Sequence, residues 1–334
     1  MTIDRAGGRV TVRSGLRESE GPMFQDGPIW RIELVSPVWK KQAGPYKVRP
    51  AYEVYSRPMP RRLMAICAAL TLWVSGSAYA AAPPVYYLAL GDSLTRGVQP
   101  TRTGMLVETT QGYVDDLYAY YRFRHPELRL VKLGCSGETT VTMIAGGVCS
   151  YPLGSQLAEA IQFLKTHQVA LVTLTIGGDN ILHCISASGI DPACVTNGVD
   201  DATADLPQIL GALRAAGPGV TIVAMNYNDP LLGLWRFGPA GQALAKESLQ
   251  ITLFFNGLLE GIYGAFHVPV ADVAQAFRIT DERPLPLLDV PVNVFLALTW
   301  TWIGLPPPLG PDVHPNAVGY AVIAGAFVKT IGAQ

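Results

Sequence analysis

Two short constellations carry side chains that together suit nucleophilic catalysis. Gly91-Asp92-Ser93-Leu94 sets a serine close behind a glycine, and Asp312-Val313-His314 sets a histidine beside a carboxylate far along the chain. A serine hydroxyl is a poor nucleophile until a base accepts its proton. An imidazole serves as that base near neutral pH, and a neighbouring acceptor fixes its tautomer. On four residues alone, Asp92-Ser93 fits a helix cap equally well. The remaining histidines have poorer settings. His125 precedes a proline, His167 ends an amphipathic stretch, His183 adjoins a cysteine, and His267 precedes a strand. Each reads as structural or solvated.

Such a pair needs rigid elements to bring it together. Residues 85–90 form a continuous apolar run that ends at Gly91, as a strand buried on both faces should. Similar runs over 128–133, 169–176, 220–225 and 268–273 predict four more strands. Helical spacing marks 112–124, 155–167 (capped by Ser155), 205–216, 239–266 and 314–331, while 284–311 reads as an apolar, proline-rich loop. Strands alternating with helices predict a three-layer α/β/α sandwich around a mostly parallel five-stranded sheet. In such a sheet the ligand site lies at the carboxyl ends of the strands. Gly91, residues 134–137, 177–180 and 226–229 all fall at predicted strand ends and should converge on one edge.

The chain has 334 residues, 49% of them hydrophobic and 15% charged, enough for one large buried core. Residues 1–80 carry 12 Lys and Arg against 6 Asp and Glu; residues 81–334 carry 13 against 20, a net of −7. An acidic domain without a basic stripe is a poor partner for nucleic acid, and none is expected. Arg61-Arg62, the short apolar run 63–74 and Ala78-Tyr79-Ala80 have the make-up of a secretory signal peptide, assigned to 59–80. Residues 1–58 show no period and read as a spurious upstream translation or a disordered extension. The folded domain is assigned to 81–334. Beyond Cys67, four cysteines remain, and an even number in an exported chain predicts two disulfides. Three pairings are open; the local one, Cys135 with Cys149 and Cys184 with Cys194, closes two short loops and is the expected one. Zinc held by His183 and Cys184 is the competing reading, weakened by the lack of a Cys-x-x-Cys spacing.

With these blocks in view, the chain resembles the SGNH (GDSL-type) hydrolases, over essentially all of 84–330. The strand and Gly91-Asp92-Ser93-Leu94 match the first block. Leu133-Gly134-Cys135-Ser136-Gly137-Glu138-Thr139 is similar to the second, Ile176-Gly177-Gly178-Asp179-Asn180 to the third, and Asp312-Val313-His314-Pro315-Asn316 to the last. The resemblance implies the flavodoxin-like fold of that family and ester hydrolysis, with Ser93 as nucleophile and His314 as base. It implies an oxyanion hole from the N–H groups of Ser93 and Gly137 and an amide side chain. Two departures stand out. Where the family has Gly-x-Asn-Asp, this chain has Asp179 followed by Asn180. An ionised aspartate accepts only, so the donor role is assigned to Asn180; an Asp179 facing the site must be protonated or leave the block defective. The family's last Asp lies three residues before the His, whereas Asp312 lies two before. Either Asp312 or a backbone carbonyl such as that of Pro311 orients His314.

The expected function is a secreted serine esterase or lipase, needing no metal or cofactor and acting as a monomer on small-molecule or lipid esters. Leu231, Leu232, Leu234, Trp235 and Phe237, with Phe295, Leu296, Trp300, Trp302 and Ile303, form two apolar segments suited to an acyl groove, a transient lipid-interface contact or simple packing. A carbohydrate deacetylase of the same fold and a catalytically silent binding protein are the alternatives. No G-x-S-x-G, G-x-x-x-x-G-K-[ST] or G-x-G-x-x-G motif supports other chemistries.

Overall fold

A computed structural model describes residues 83–186 and 189–332. The expected extension 1–58, the signal peptide 59–80 and Cys67 lie outside the described residues. The central sheet contains β1 (Val85–Gly91), β2 (Leu128–Lys132), β3 (Val169–Thr175), β4 (Thr221–Met225) and β5 (Val270–Ala271), in the order β2-β1-β3-β4-β5. Each neighbouring pair is parallel, and Leu88 pairs with Val131 on one side and Val172 on the other.

The strand sequences explain the two faces. Successive side chains of a strand point to opposite sides. Leu88, Leu90, Val172, Leu174, Ile222 and Ala224 enter one core, and Tyr87, Ala89, Leu171, Val223 and Met225 enter the other. Over the first face lie α3 (Thr140–Ala145), α4 (Gln156–Thr166), α6 (Pro192–Ala216) and α7 (Gly238–Ala265). The second is covered by α2 (Tyr113–Arg122), α9 (Val292–Trp300) and α10 (Ala317–Gly332). The expected three-layer sandwich is therefore the observed one. Among the described residues, no helix is long and apolar enough to cross a membrane.

Several boundaries differ from expectation. The fifth strand is two residues long. Helix α6 starts at Pro192, well before residue 205, because Asp191 accepts from the N–H groups of Ala193 and Cys194 and the proline occupies the first turn. The segment 284–311 is not a plain loop. It holds a small hairpin, Pro284–Leu285 with Val290–Pro291, and then α9, which buries Val292, Val294, Leu296 and Ala297.

The strand order reverses direction between β1 and β3. β2 lies to one side of β1 and every later strand to the other, which opens a crevice at the carboxyl ends of β1 and β3.

Candidate active site

Ser93 stands at that crevice. Gly91 ends β1 with φ +132°, and a Cβ there would lie 2.0 Å from the Thr175 carbonyl oxygen. Only glycine lets β1 and β3 stay paired up to this turn. The Gln156 side chain then clasps the Gly91 peptide: Gly91 N–H donates to Oε1 (2.6 Å), and Nε2 donates to the Gly91 carbonyl (2.9 Å). The next residue, Asp92, caps the short helix α1 (Ser93–Arg96) by accepting from Leu94 N–H at 2.9 Å. Capping and catalysis are thus compatible within four residues: Asp92 caps, and Ser93 faces a cavity.

His314 meets Ser93 from the other end of the chain. Its Nε2 lies 2.9 Å from Ser93 Oγ, and its Nδ1 lies 2.9 Å from Asp312 Oδ1. The His314 backbone N–H donates to the same Oδ1 at 3.0 Å. The two-residue spacing lets one carboxylate oxygen hold both ring and backbone, so the ring's partner is Asp312 and not the Pro311 carbonyl. His314 precedes α10 by three positions rather than opening it. Its loop is tied to the end of α9, with Trp302 N–H donating to His314 O and Asn316 N–H to Trp300 O, both at 3.0 Å.

The cavity above this pair measures about 490 Å³. Ser136, Gly137 and Asp179 share its lining with Ser93 and His314. Gly137 has φ +82° and nothing within 4 Å of where a Cβ would sit, so its backbone is open on that side. Asn180 is not where the sequence assignment put it. It is buried and turned to Thr140, accepting from Thr140 N–H and donating to Thr140 Oγ1, each at 2.9 Å. The short helix α5 (Asp179–Leu182) presents Asp179 to the cavity instead.

The electrostatics of the crevice are unusual. Burial pushes the Asp92 carboxyl well above the carboxylate range, and its closeness to the Asp179 carboxyl pushes the same way. Burial also raises Asp179, opposed by His314 and His183 and reinforced by Glu138. Asp179 Oδ2 and Glu138 Oε1 are buried without a hydrogen-bond partner. Tyr227, which donates to Asp92 Oδ2 at 3.4 Å, is held well above its ordinary value by burial. Beside the cavity, burial lifts the Asp229 carboxyl to about 7.

Both local disulfides are formed: Cys135–Cys149 and Cys184–Cys194, with Cα separations of 6.1 and 5.5 Å. The first anchors the loop that carries Gly137. In the second, His183 Nε2 lies 3.4 Å from Cys194 Sγ, but both sulfurs are committed to each other, against the zinc reading. Of the other histidines, His125 lies beside Glu127, and His167 bonds Thr166 and stacks on Phe163.

The apolar wall differs from the one the sequence suggested. Of the ten side chains named in the two expected segments, only Leu231 lines the cavity; Leu232, Leu296 and Ile303 are packed inside. Packing, not substrate, accounts for most of that apolar content. The wall comes chiefly from Leu94, Val107, Ile181, Ile185, Ile251 and Phe255. Gln156 and Tyr227 were also missed. A faint signal for Gln156 was a polar side chain on a helix face otherwise buried.

The arrangement suits acyl transfer, and comparison with known proteins agrees with that class. No curated protein matches this sequence. Several solved structures align with it at low identity. A lipase from a goat rumen metagenome is 18% identical, with 74% of this chain and 97% of that one covered and a TM-score of 0.47. Phospholipase A1 from Streptomyces albidoflavus NA297 is 19% identical, with 75% and 98% covered and a TM-score of 0.45. An extracellular lipase from Streptomyces rimosus is 17% identical, with 75% and 99% covered and a TM-score of 0.45. The family model for GDSL-like lipases and acylhydrolases matches residues 89–322, which include both constellations. By that match, this chain belongs to the GDSL-like lipase/acylhydrolase family.

Proposed function

We propose that the protein is an exported serine esterase or lipase that hydrolyses carboxylic esters through an acyl-enzyme on Ser93. The observation that carries this reading is the hydrogen-bonded line from Ser93 Oγ through His314 to Asp312, 2.9 Å at each step, at the floor of an apolar cavity. Ser93 Oγ bonds to the ester carbonyl carbon while its proton passes to His314 Nε2. The carbonyl oxygen takes up the negative charge. Asp312 accepts from Nδ1, so it keeps Nε2 free to receive that proton and stabilises the imidazolium. Ser93 opens a helix, so its N–H lacks an intrahelical acceptor. With Gly137 N–H it serves the oxyanion, each donor worth about 3 kcal/mol in the transition state. Collapse of the intermediate expels the alkoxide, which takes the proton from His314. Water then gives a proton to His314 Nε2 and attacks the acyl carbon; collapse of this second intermediate releases the acid, and Ser93 Oγ takes the proton back from His314.

The aliphatic wall favours an acyl chain over a sugar, which supports esterase or lipase over carbohydrate deacetylase. Export through the signal peptide 59–80 is supported by two disulfides in a chain with an acidic folded part. A free monomer that touches lipid interfaces transiently completes the reading.

The test is hydrolysis of p-nitrophenyl esters from acetate to palmitate. The wild-type protein should turn over at least one of them, and Ser93→Ala and His314→Ala should each lose about 10⁴-fold or more in kcat. A folded, disulfide-intact protein that cleaves none of the series, or a Ser93→Ala variant as active as wild type, overturns the proposal.

A further inference from the structure

The amide expected as the third oxyanion donor, that of Asn180, is buried and turned to Thr140. Both atoms of the Asn180 side-chain amide engage that residue, at 2.9 Å each. The turn after β3 offers a different side chain at the same edge. Gly91 pairs with Thr175 in the sheet, so the residues following each strand emerge side by side. Asp179 consequently lines the same cavity as Ser93, Gly137 and His314.

We propose that Asp179 is a catalytic residue that works as a neutral carboxylic acid, its O–H donating to the oxyanion formed on the ester carbonyl. The proposal rests on the esterase reading and assigns one more role within it. Charge alone argues for the neutral form. A carboxylate at this place would oppose the developing oxyanion, whereas a protonated carboxyl is a donor. Geometry agrees: Oδ2 of Asp179 is buried without a partner, a condition far more costly for a charged oxygen than for a neutral one. No proton is lost or gained by Asp179 in the cycle; it only donates a hydrogen bond.

The groups that face Asp179 come from every surrounding element. They are Asp92 from the turn after β1, Glu138 from the loop after β2, Tyr227 from the loop after β4, His183 at the end of α5, and His314. Burial and Glu138 favour the neutral acid; His314 and His183, when charged, oppose it. Burial is the largest influence, and its direction is upward from the ordinary value. Ionisation of Asp179 should therefore remove the donor and lower the rate as pH rises.

The test measures kcat and KM of the full chain across pH on p-nitrophenyl butyrate, for wild type, Asp179→Asn and Asp179→Ala, with Ser93→Ala rates subtracted. Wild type should lose rate toward alkaline pH. In Asp179→Asn, whose amide donates at all pH values, the alkaline fall should vanish. Asp179→Ala should lose about 10²-fold in kcat, with KM changed much less. An alkaline fall retained in Asp179→Asn, or an Asp179→Ala kcat within threefold of wild type, overturns the proposal. Labelling of Ser93 by a fluorophosphonate reports on the esterase reading separately. Should that labelling and all ester turnover fail, the Asp179 carboxyl still decides its own case by ¹³C NMR, its signal identified by loss in Asp179→Asn. An Asp179 still protonated at neutral pH supports the neutral acid, and one already ionised there overturns it.

Discussion

Asp312 serves His314 through a single oxygen. Oδ1 accepts from both the ring and the backbone of the residue it orients, which makes the short spacing sufficient. Replacing it with asparagine leaves an acceptor for the backbone but removes the charge that stabilises the imidazolium. Asp312→Asn is expected to lower kcat by about 10²- to 10⁴-fold with KM little changed. Steady-state kinetics on a soluble ester checks this, and a loss under tenfold would show that Asp312 matters only for packing. At this scale the sequence was most legible where the chemistry depends on residue type. Ser93 and His314 could be named without a structure because the resemblance fixed which serine and histidine to pair; whether Asp312 or a backbone carbonyl orients the ring could not be read off. The Asp179 and Asn180 pair could not be resolved that way. Neighbouring helical positions point about 100° apart, and which of the two faces the cavity depends on how α5 leaves the strand.

Elements hold these residues still, and the loop bearing Gly137 is one of the least regular. It is fastened by Cys135–Cys149, 14 residues apart in sequence. Closing a loop of that length stabilises the folded state by about 3 kcal/mol. The double variant Cys135→Ala/Cys149→Ala should lose roughly this amount in urea unfolding, and its kcat should fall because Gly137 is no longer fixed. A full kcat in the variant would mean that the loop is positioned by packing alone. The strands were legible as continuous apolar runs. Helix α9 was not, because Val-Asn-Val-Phe-Leu-Ala-Leu-Thr-Trp is apolar nearly all round and shows no helical period. The first half of α6 was hidden by Asn197, Gly198 and other weak helix formers. Its signal lay in Asp191-Pro192, a cap followed by a first-turn proline.

The whole molecule places its acids where pH acts on stability. Asp229 is fully buried; its Oδ1 accepts from Leu231 N–H at 2.9 Å and its Oδ2 from Ser248 Oγ at 2.8 Å. Its carboxyl is raised by burial to about 7. A raised carboxyl contributes stability that is complete below the unfolded value and lost as pH rises through the folded one. Between about pH 4 and pH 7 this group alone should cost about 1.4 kcal/mol per pH unit. Asp92 and Asp179, also raised, act in the same direction. Urea unfolding across this range should show wild-type stability falling with pH, and a shallower fall in Asp229→Asn, whose side chain can keep both contacts. Equal slopes in the two proteins would show that Asp229 is ionised throughout.

Ser93 and His314 are 221 residues apart in sequence yet share a hydrogen bond. A chain grows from its N-terminus at roughly 5–20 residues per second, so the serine leaves the ribosome about 10–40 seconds before its base exists. Through that interval Ser93 is an ordinary alcohol. On the proposed mechanism the hydroxyl gains its base only when the last loop docks against the end of α9, so a chain cut short anywhere before residue 314 would carry the serine without the partner that activates it.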